Sequence, residues 1–255
     1  MIKKYKISVP KSTLNEIYKK VRNFPWSAAQ NMNGWEYGTN LNYLKNISKY
    51  WITKYNWKKF ENKINSFKNY KTKVEDINLH FIFEKSKNPN SKQLLLLHGW
   101  PGSITEFLDI IPRLAHPEKF GGKIEDGFDV IVPSLPGFGF SSQIKKALGP
   151  RKIGKILNKF MVKNLGYKNY FVQGGDWGAT IAGWIGLDSS KNCKGIHINC
   201  LPLRHPKGTK NIKEKKWEKK FNFDQIMQEG YRTQQATKPQ TLSLIHISEP
   251  TRHES

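Results

Sequence analysis

The sequence has few cysteines and no long apolar run, and these two features exclude several classes of protein. Cys193 and Cys200 are the only cysteines among 255 residues, too few for a disulfide framework and without a zinc-ligand spacing. No stretch reaches the about 18 apolar residues of a membrane-spanning helix. The basic start lacks the apolar segment of a secretory signal. We therefore expect a soluble, cytoplasmic protein without an integral membrane anchor.

Arginine is also scarce, although the formal net charge is +23. Six of the 43 basic residues are arginine, the residue type that most often reads base edges and phosphates. The lysines are spread over the whole chain, and asparagine is abundant as well. We interpret the basic balance as a solvated lysine-rich surface. This interpretation predicts no nucleic-acid partner and leaves peripheral contact with anionic lipid open.

The first part of the chain, residues 1–90, is polar, rich in aromatic residues and expected to be mostly helical. Apolar residues recur at helical spacing from Leu14 to Val21, which predicts a helix capped by Ser12 or Thr13. A second helix is predicted from Asn42 to about Tyr55, on the same kind of spacing.

The next part, residues 91–200, alternates short apolar runs with helical patterns. The runs are Gln93–Leu97, Asp129–Val132, Asn169–Gln173 and Ile196–Asn199. The helical patterns are Ile104–Ala115, Ile153–Leu165 and Ala179–Leu187. This alternation is typical of a parallel sheet covered by helices on both faces, an α/β fold. Ligands bind beyond the carboxyl ends of such strands, so we expect the site in the glycine- and proline-rich turns that follow the runs.

One of these turns, Gly174–Ala179, has the spacing of a nucleophile elbow with Asp176 at its centre. A strand leads into the turn and a helix leaves it. The small residues Gly174, Gly178 and Ala179 would let strand and helix approach closely. The alternative is that Asp176 only caps the helix that follows.

A second turn, His98–Gly102, follows a buried strand and would place the backbone N–H of Trp100 next to the elbow. Trp177, directly after Asp176, would supply another N–H. Two such donors make an oxyanion hole. We interpret His98 itself as a structural residue, because it precedes the turn and does not face a nucleophile.

Four motifs in order resemble the epoxide hydrolases of the α/β-hydrolase fold, of the microsomal and juvenile-hormone type. They are "SVP" with "INLHFIFEKS", "LLLLHGWPGS" with "GFDVIVPSLPGFGFS", "GGDWGA", and "EGYRTQQATKPQTL". The resemblance covers about residues 4–241. It implies an incomplete α/β-hydrolase fold, with an N-terminal region over 1–90, the core over 91–200 and the start of a helical cap over 201–241.

The resemblance implies that an epoxide is converted to a vicinal diol through an ester of Asp176. A carboxylate suits this task, because attack on the epoxide gives an ester that water can cleave, whereas a serine would give a stable ether. Tyr231 matches the first cap tyrosine that protonates the leaving alkoxide in the family. Trp100 and Trp177 would form the oxyanion hole. The implied partner is a small epoxide, and no metal or organic cofactor is implied.

Two alternatives remain open at this point. Haloalkane dehalogenases also use an aspartate elbow, but they usually have a polar halide-binding residue where this chain has Trp100. The other alternative is a non-catalytic remnant of the fold. This alternative gains support because the family's base histidine and its acid partner lie well after the cap. None of the histidines up to His205 in this chain stands in a matching context.

The last residues, 242–255, resemble a translated sequencing-library adapter and break the likeness abruptly. Our hypothesis is that this tail is not native, so that His246 and His253 are not catalytic. The chain would then be an N-terminal fragment that lacks the base and its acid partner. We predict that it folds poorly and does not turn over epoxides.

Overall fold

A computed structural model describes residues 1–26, 34–36, 38–200, 211–228 and 230–237. The chain divides into two compact units. The first consists of Met1–Ser8 and Asn56–Pro202, and the second of Val9–Tyr55 and Leu203–Ser255. The elbow and the turns that follow the apolar runs lie in the first unit.

The first unit is built on a mixed sheet, seven-stranded in the part of the chain that the structure describes, with the order β1-β2-β3-β5-β4-β6-β7. The strands are β1 (Lys3–Lys4), β2 (Asn69–Val74), β3 (Ile77–Glu84), β4 (Lys92–Leu97), β5 (Phe128–Pro133), β6 (Tyr170–Gly174) and β7 (Cys193–Ile198). Strands β4 to β7 run parallel, and β1, β2, β3 and β5 pair antiparallel in that order. Because β4 lies between β5 and β6, the turns after these three strands meet at one edge of the sheet.

Helices flank the strands in the first unit and make up the described part of the second. They are α1 (Lys11–Arg22), α2 (Leu41–Thr53), α3 (Trp57–Asn65), α4 (Ile111–Ala115), α5 (Pro150–Lys159), α6 (Trp177–Asp188), α7 (Ile212–Gln228) and α8 (Gly230–Thr237). Helix α5 continues into a π-helical segment, Phe160–Asn164, and a 3-10 helix covers Ile104–Phe107. None of the helices in the described ranges is long and apolar enough to cross a bilayer.

Both faces of β5 and of the second half of β4 are buried, whereas in β7, the edge strand of the described sheet, only Cys193 is buried. Alternate residues of β4 point to opposite faces, so Leu95 and Leu97 join the core beneath α5 and α6, whereas Leu96 joins the core beside α4. Each fully buried leucine contributes about 1.5–3 kcal/mol of transfer free energy. The four apolar runs of the sequence are β4 to β7, so their prediction as parallel strands is confirmed.

The helical pattern over Ile104–Ala115 does not form one helix. It divides into the 3-10 helix Ile104–Phe107 and α4. Pro112 lies at the start of α4, where its missing N–H costs nothing, but its ring would clash with the preceding turn of a continuous helix.

The expectation that residues 1–90 are mostly helical is wrong for residues 69–84, which form two strands, whereas α2 and α3 before them are helical as expected. Strands β2 and β3 form a hairpin that joins the sheet through β5, with Glu75 in its turn at φ 55°. Thr72 and Val74 are buried while Lys73 between them is exposed, the alternation of a strand with one covered face.

The first two helices are present, with different caps from those expected. Helix α1 has Pro10 as its N-cap residue, so Ser12 and Thr13 lie within its first turn and the predicted side-chain cap is wrong. Helix α2 is capped by Asn40, whose side-chain oxygen accepts a hydrogen bond from the N–H of Tyr43 at 3.0 Å.

Candidate active site

Asp176 lies in a strained turn between β6 and α6. Its φ and ψ are 48° and −123°, a region that costs a residue other than glycine on the order of 1–3 kcal/mol. The turn is so tight that a Cβ at Gly174 would lie 2.1 Å from the carbonyl oxygen of Gly178. A Cβ at Gly178 would lie 2.2 Å from the carbonyl oxygen of Leu97. Glycine at both positions is therefore a steric requirement of the elbow.

The carboxylate of Asp176 does not cap the helix. Its side chain makes no capping hydrogen bond to α6, so the alternative interpretation of this residue is wrong. Instead, Oδ1 of Asp176 accepts a hydrogen bond from the backbone N–H of Trp100 at 2.8 Å. A Cβ at Gly99 would lie 2.3 Å from the same oxygen, so the loop after β4 can approach only because residue 99 is glycine. Trp177 follows Asp176 directly and begins α6.

His98 ties the loop after β4 to the loop after β5. The ring is buried; Nδ1–H donates to the carbonyl oxygen of Gly99 at 2.9 Å, and Nε2 accepts from the N–H of Leu135 at 3.1 Å. Burial lowers the pKa of His98 below its ordinary value, which keeps the ring neutral in this arrangement. Both nitrogens are engaged, as expected for the structural role interpreted from the sequence.

Glu106 is a residue of this site that the sequence reasoning missed. Its Oε1 accepts a hydrogen bond from the N–H of Ser103 at 3.2 Å, and Ser103 in turn caps the 3-10 helix Ile104–Phe107. The Ser-x-x-Glu spacing is the signature of such a capping box and could have pointed to it. Asn199, just after β7, was also missed: its Oδ1 would lie 2.7 Å from a Cβ at Gly175. No sequence signal marks Asn199.

The buried histidine His80 forms a polar chain away from the elbow. Its Nδ1 accepts from Oγ of Ser134 at 2.9 Å, and Nε2–H donates to Oδ1 of Asn69 at 3.0 Å. The chain has the residue types of a hydrolytic triad, but Ser134 is 1% exposed and no substrate could reach it. Burial, with a smaller effect of the Lys71 charge, lowers the pKa of His80 to about 3.

The described structure does not test the remaining candidate, Tyr231. Tyr231 lies in α8, and its side chain is outside the described residues. His205, His246 and His253 also lie outside them. His116 pairs through Nε2 with Glu84 at 3.1 Å.

Two family models match the chain. The model described as "alpha/beta hydrolase fold" matches residues 92–244, more than half of the sequence, and so includes Asp176 and its elbow. The chain belongs to the α/β-hydrolase fold family. The model described as "Epoxide hydrolase N terminus" matches residues 2–107, which include the loop after β4.

Within this hydrolase family, the similar proteins are epoxide hydrolases. The chain is 36% identical to Epoxide hydrolase 1 of Oryctolagus cuniculus over 80% of the chain and 46% of that protein. It is 31% identical to Juvenile hormone epoxide hydrolase 1 of Ctenocephalides felis over 98% of the chain and 57% of that protein. The structure of Aspergillus niger epoxide hydrolase matches with a TM-score of 0.83 and 26% identity, over 96% of the chain and 65% of that structure.

These findings confirm the resemblance and the fold expected from the sequence motifs. The chain spans about half the length of the curated relatives it matches.

Proposed function

We propose that this chain carries the nucleophile of an epoxide hydrolase, with Asp176 attacking a ring carbon of a small epoxide. The observation that carries the proposal is the Asp176 carboxylate, exposed at a strained elbow with Oδ1 held by the Trp100 N–H. Because Oδ1 is occupied, Oδ2 is the oxygen free to attack. The new carbon–oxygen bond forms as the ring carbon–oxygen bond breaks, and the ring oxygen leaves as an alkoxide that takes up a proton.

The second step of the proposed reaction releases the diol. Water attacks Cγ of the Asp176 ester, and the resulting oxyanion is stabilised by the N–H groups of Trp100 and Trp177. Its collapse breaks the bond from Cγ to the diol oxygen, which takes up a proton. We assign Tyr231 as the proton donor to the alkoxide, on the motif match alone. The water needs a base, and His80 and His98 are unsuited because both ring nitrogens of each are already hydrogen bonded inside the protein. That this 255-residue chain does not turn over epoxides stays a prediction.

Intact-mass and peptide analysis after incubation with styrene oxide tests the proposal. We expect one adduct, located on Asp176, and no adduct on this residue in Asp176→Asn, which keeps the shape but removes the nucleophilic charge. An adduct that persists undiminished in Asp176→Asn would contradict the assignment. A primary chloroalkane in place of the epoxide is expected to give no adduct; an adduct from it would favour the dehalogenase alternative instead.

We also propose that the protein is cytoplasmic, with at most peripheral contact with anionic membranes. The two cysteines, one buried and one exposed, are both free thiols in the structure, which suits a reducing compartment. Cell fractionation is expected to recover the protein in the soluble fraction, or in a membrane fraction from which high salt releases it. Recovery that requires detergent would contradict the proposal.

A further inference from the structure

The loop Gly99–Ser103 carries the Trp100 N–H to Asp176, and a second carboxylate contacts the same loop. Oε1 of Glu106 lies 3.2 Å from the N–H of Ser103 and accepts its hydrogen bond. A Cβ at Gly102 would lie 1.8 Å from that oxygen, so the carboxylate fills the space that a side chain at residue 102 would need.

Both ends of this loop and the Asp176 carboxylate affect the pKa of the Glu106 carboxyl. Partial burial raises the pKa of the Glu106 carboxyl, hydrogen bonds from the Ser103 and Gly99 backbone lower it, and the charge of Asp176 raises it again. The residue as a whole remains exposed, so water screens the repulsion between the two carboxylates. The contact with the backbone is therefore the stronger part of the interaction.

Backbone freedom in the loop is concentrated at its two glycines, since Pro101 has a fixed φ. Gly99 and Gly102 both lack a side chain and have more backbone freedom than any other residue type. One internal hydrogen bond closes the loop, from the Gly102 N–H to the Gly99 carbonyl oxygen at 3.1 Å. The Glu106 contact adds a fixed point outside the loop.

We propose that Glu106 is a positioning residue, which holds the loop Gly99–Ser103 so that the Trp100 N–H points at the Asp176 carboxylate. The inference rests on the proposed function, in which this N–H orients the nucleophile and then stabilises the oxyanion. Glu106 touches neither substrate nor reacting atoms and acts through the loop backbone.

A simpler role for Glu106 would be to cap the 3-10 helix Ile104–Phe107. Ser103 shares that role, because its Oγ accepts from the N–H of Thr105 at 3.3 Å. Ser103→Ala removes this part of the cap but leaves the backbone N–H that Glu106 binds. Ser103→Ala is therefore the matched control. Both variants weaken the cap, but only Glu106→Ala removes the contact that would position the loop.

The test measures the rate at which Asp176 is alkylated by styrene oxide in the whole protein. Misplacing a reacting group by about 1 Å costs up to about a hundredfold in rate, so we expect alkylation in Glu106→Ala to slow by about tenfold to a hundredfold. Glu106→Gln is expected to lose less, because its amide oxygen still accepts from Ser103. Ser103→Ala is expected to slow alkylation less than Glu106→Ala does, because it keeps the N–H that Glu106 binds. Thermal unfolding of each variant verifies that it is folded.

Equal rates in Glu106→Ala and wild type would overturn the inference, and so would an equal slowing in Ser103→Ala and Glu106→Ala. If wild type forms no adduct, the proposed function fails, and hydrogen exchange of the Trp100 amide, measured by NMR, then decides the positioning role. Faster exchange in Glu106→Ala than in Ser103→Ala supports the role. The same exchange rate in both variants overturns it.

Discussion

The backbone N–H of Trp100 donates a hydrogen bond to Oδ1 of Asp176 over 2.8 Å, although the two residues are 76 positions apart in the sequence. The contact exists because β4 and β6 are parallel neighbours, so that the turns after them meet. It places a hydrogen-bond donor against the carboxylate before any substrate binds. Such preorganisation is the larger part of many enzymes' rate enhancement.

Replacing Gly99 with alanine is expected to slow the alkylation of Asp176 more than it destabilises the fold. The new methyl group would lie 2.3 Å from Oδ1 of Asp176, so the carboxylate must leave the Trp100 N–H. We expect alkylation by styrene oxide to slow by at least about tenfold. Gly149→Ala is the control, because a Cβ there meets no atom within 4 Å. An equal rate in both variants would contradict the close packing of loop and nucleophile.

Replacing Gly178 with alanine is expected to damage the fold itself. A Cβ at residue 178 would lie 2.2 Å from the Leu97 carbonyl oxygen, and backbone of a central strand cannot move aside cheaply. In the same helix, Gly183 has open space, and Gly183→Ala is expected to stabilise by up to about 1 kcal/mol through helix propensity. Urea unfolding compares the two, and similar stabilities for both variants would show that the elbow is looser than described.

The strain at Asp176 predicts an unusual order of stabilities. At φ 48°, glycine is more easily accommodated than alanine. Asp176→Gly is therefore expected to unfold at a higher urea concentration than Asp176→Ala, with a free energy of unfolding about 1 kcal/mol larger. At the exposed helical position Lys155, the order of the glycine and alanine variants is expected to be the reverse. The same order at both positions would mean that the elbow is unstrained.

His80 predicts a loss of stability in mild acid. Its pKa is about 3 in the folded protein and about 6.5 when unfolded, so the unfolded chain binds the extra proton first as pH falls. The contribution of the neutral ring is complete above pH about 6.5 and is lost progressively below it, by up to about 1.4 kcal/mol per pH unit.

Urea unfolding between pH 7 and pH 5 measures this loss. His80→Gln is expected to be less stable at pH 7, because the polar chain through Ser134 and Asn69 is broken, but to lose less stability on acidification. The buried His98 is retained in the variant and continues to contribute. An identical pH dependence in wild type and His80→Gln would show that His80 is accessible to protons in the folded protein.

The site could be predicted from the sequence where it depends on local spacing. The small residues around Asp176 identify it in the sequence, and its contact with Trp100 follows from the order of the buried strands. Glu106 carries a capping-box signature, but its contact with the loop Gly99–Ser103 depends on how the chain bends after β4, which no periodicity records. Asn199 reaches Gly175 only through the pairing of β6 with β7.

The hairpin β2–β3 escaped prediction for a different reason. Lysine-rich composition hides the alternation of β2, where the buried positions include Asn69, a residue type that strands disfavour, and the polar Thr72. Their burial is possible because tertiary partners satisfy them: Asn69 is bonded to His80, and Thr72 to Asn164. The partner of Thr72 lies 92 positions along the chain, so a local window cannot see it.

The two family matches overlap along residues 92–107, and both the loop Gly99–Ser103 and Glu106 lie inside that overlap. The nucleophile that this loop contacts, Asp176, belongs to the second match alone. The segment that both models match therefore supplies one side of the contact at Asp176. A chimaera joined to a relative between residues 104 and 107 would pair the Asp176 of one parent with the loop Gly99–Ser103 of the other, so the fit of this contact would depend on both parents.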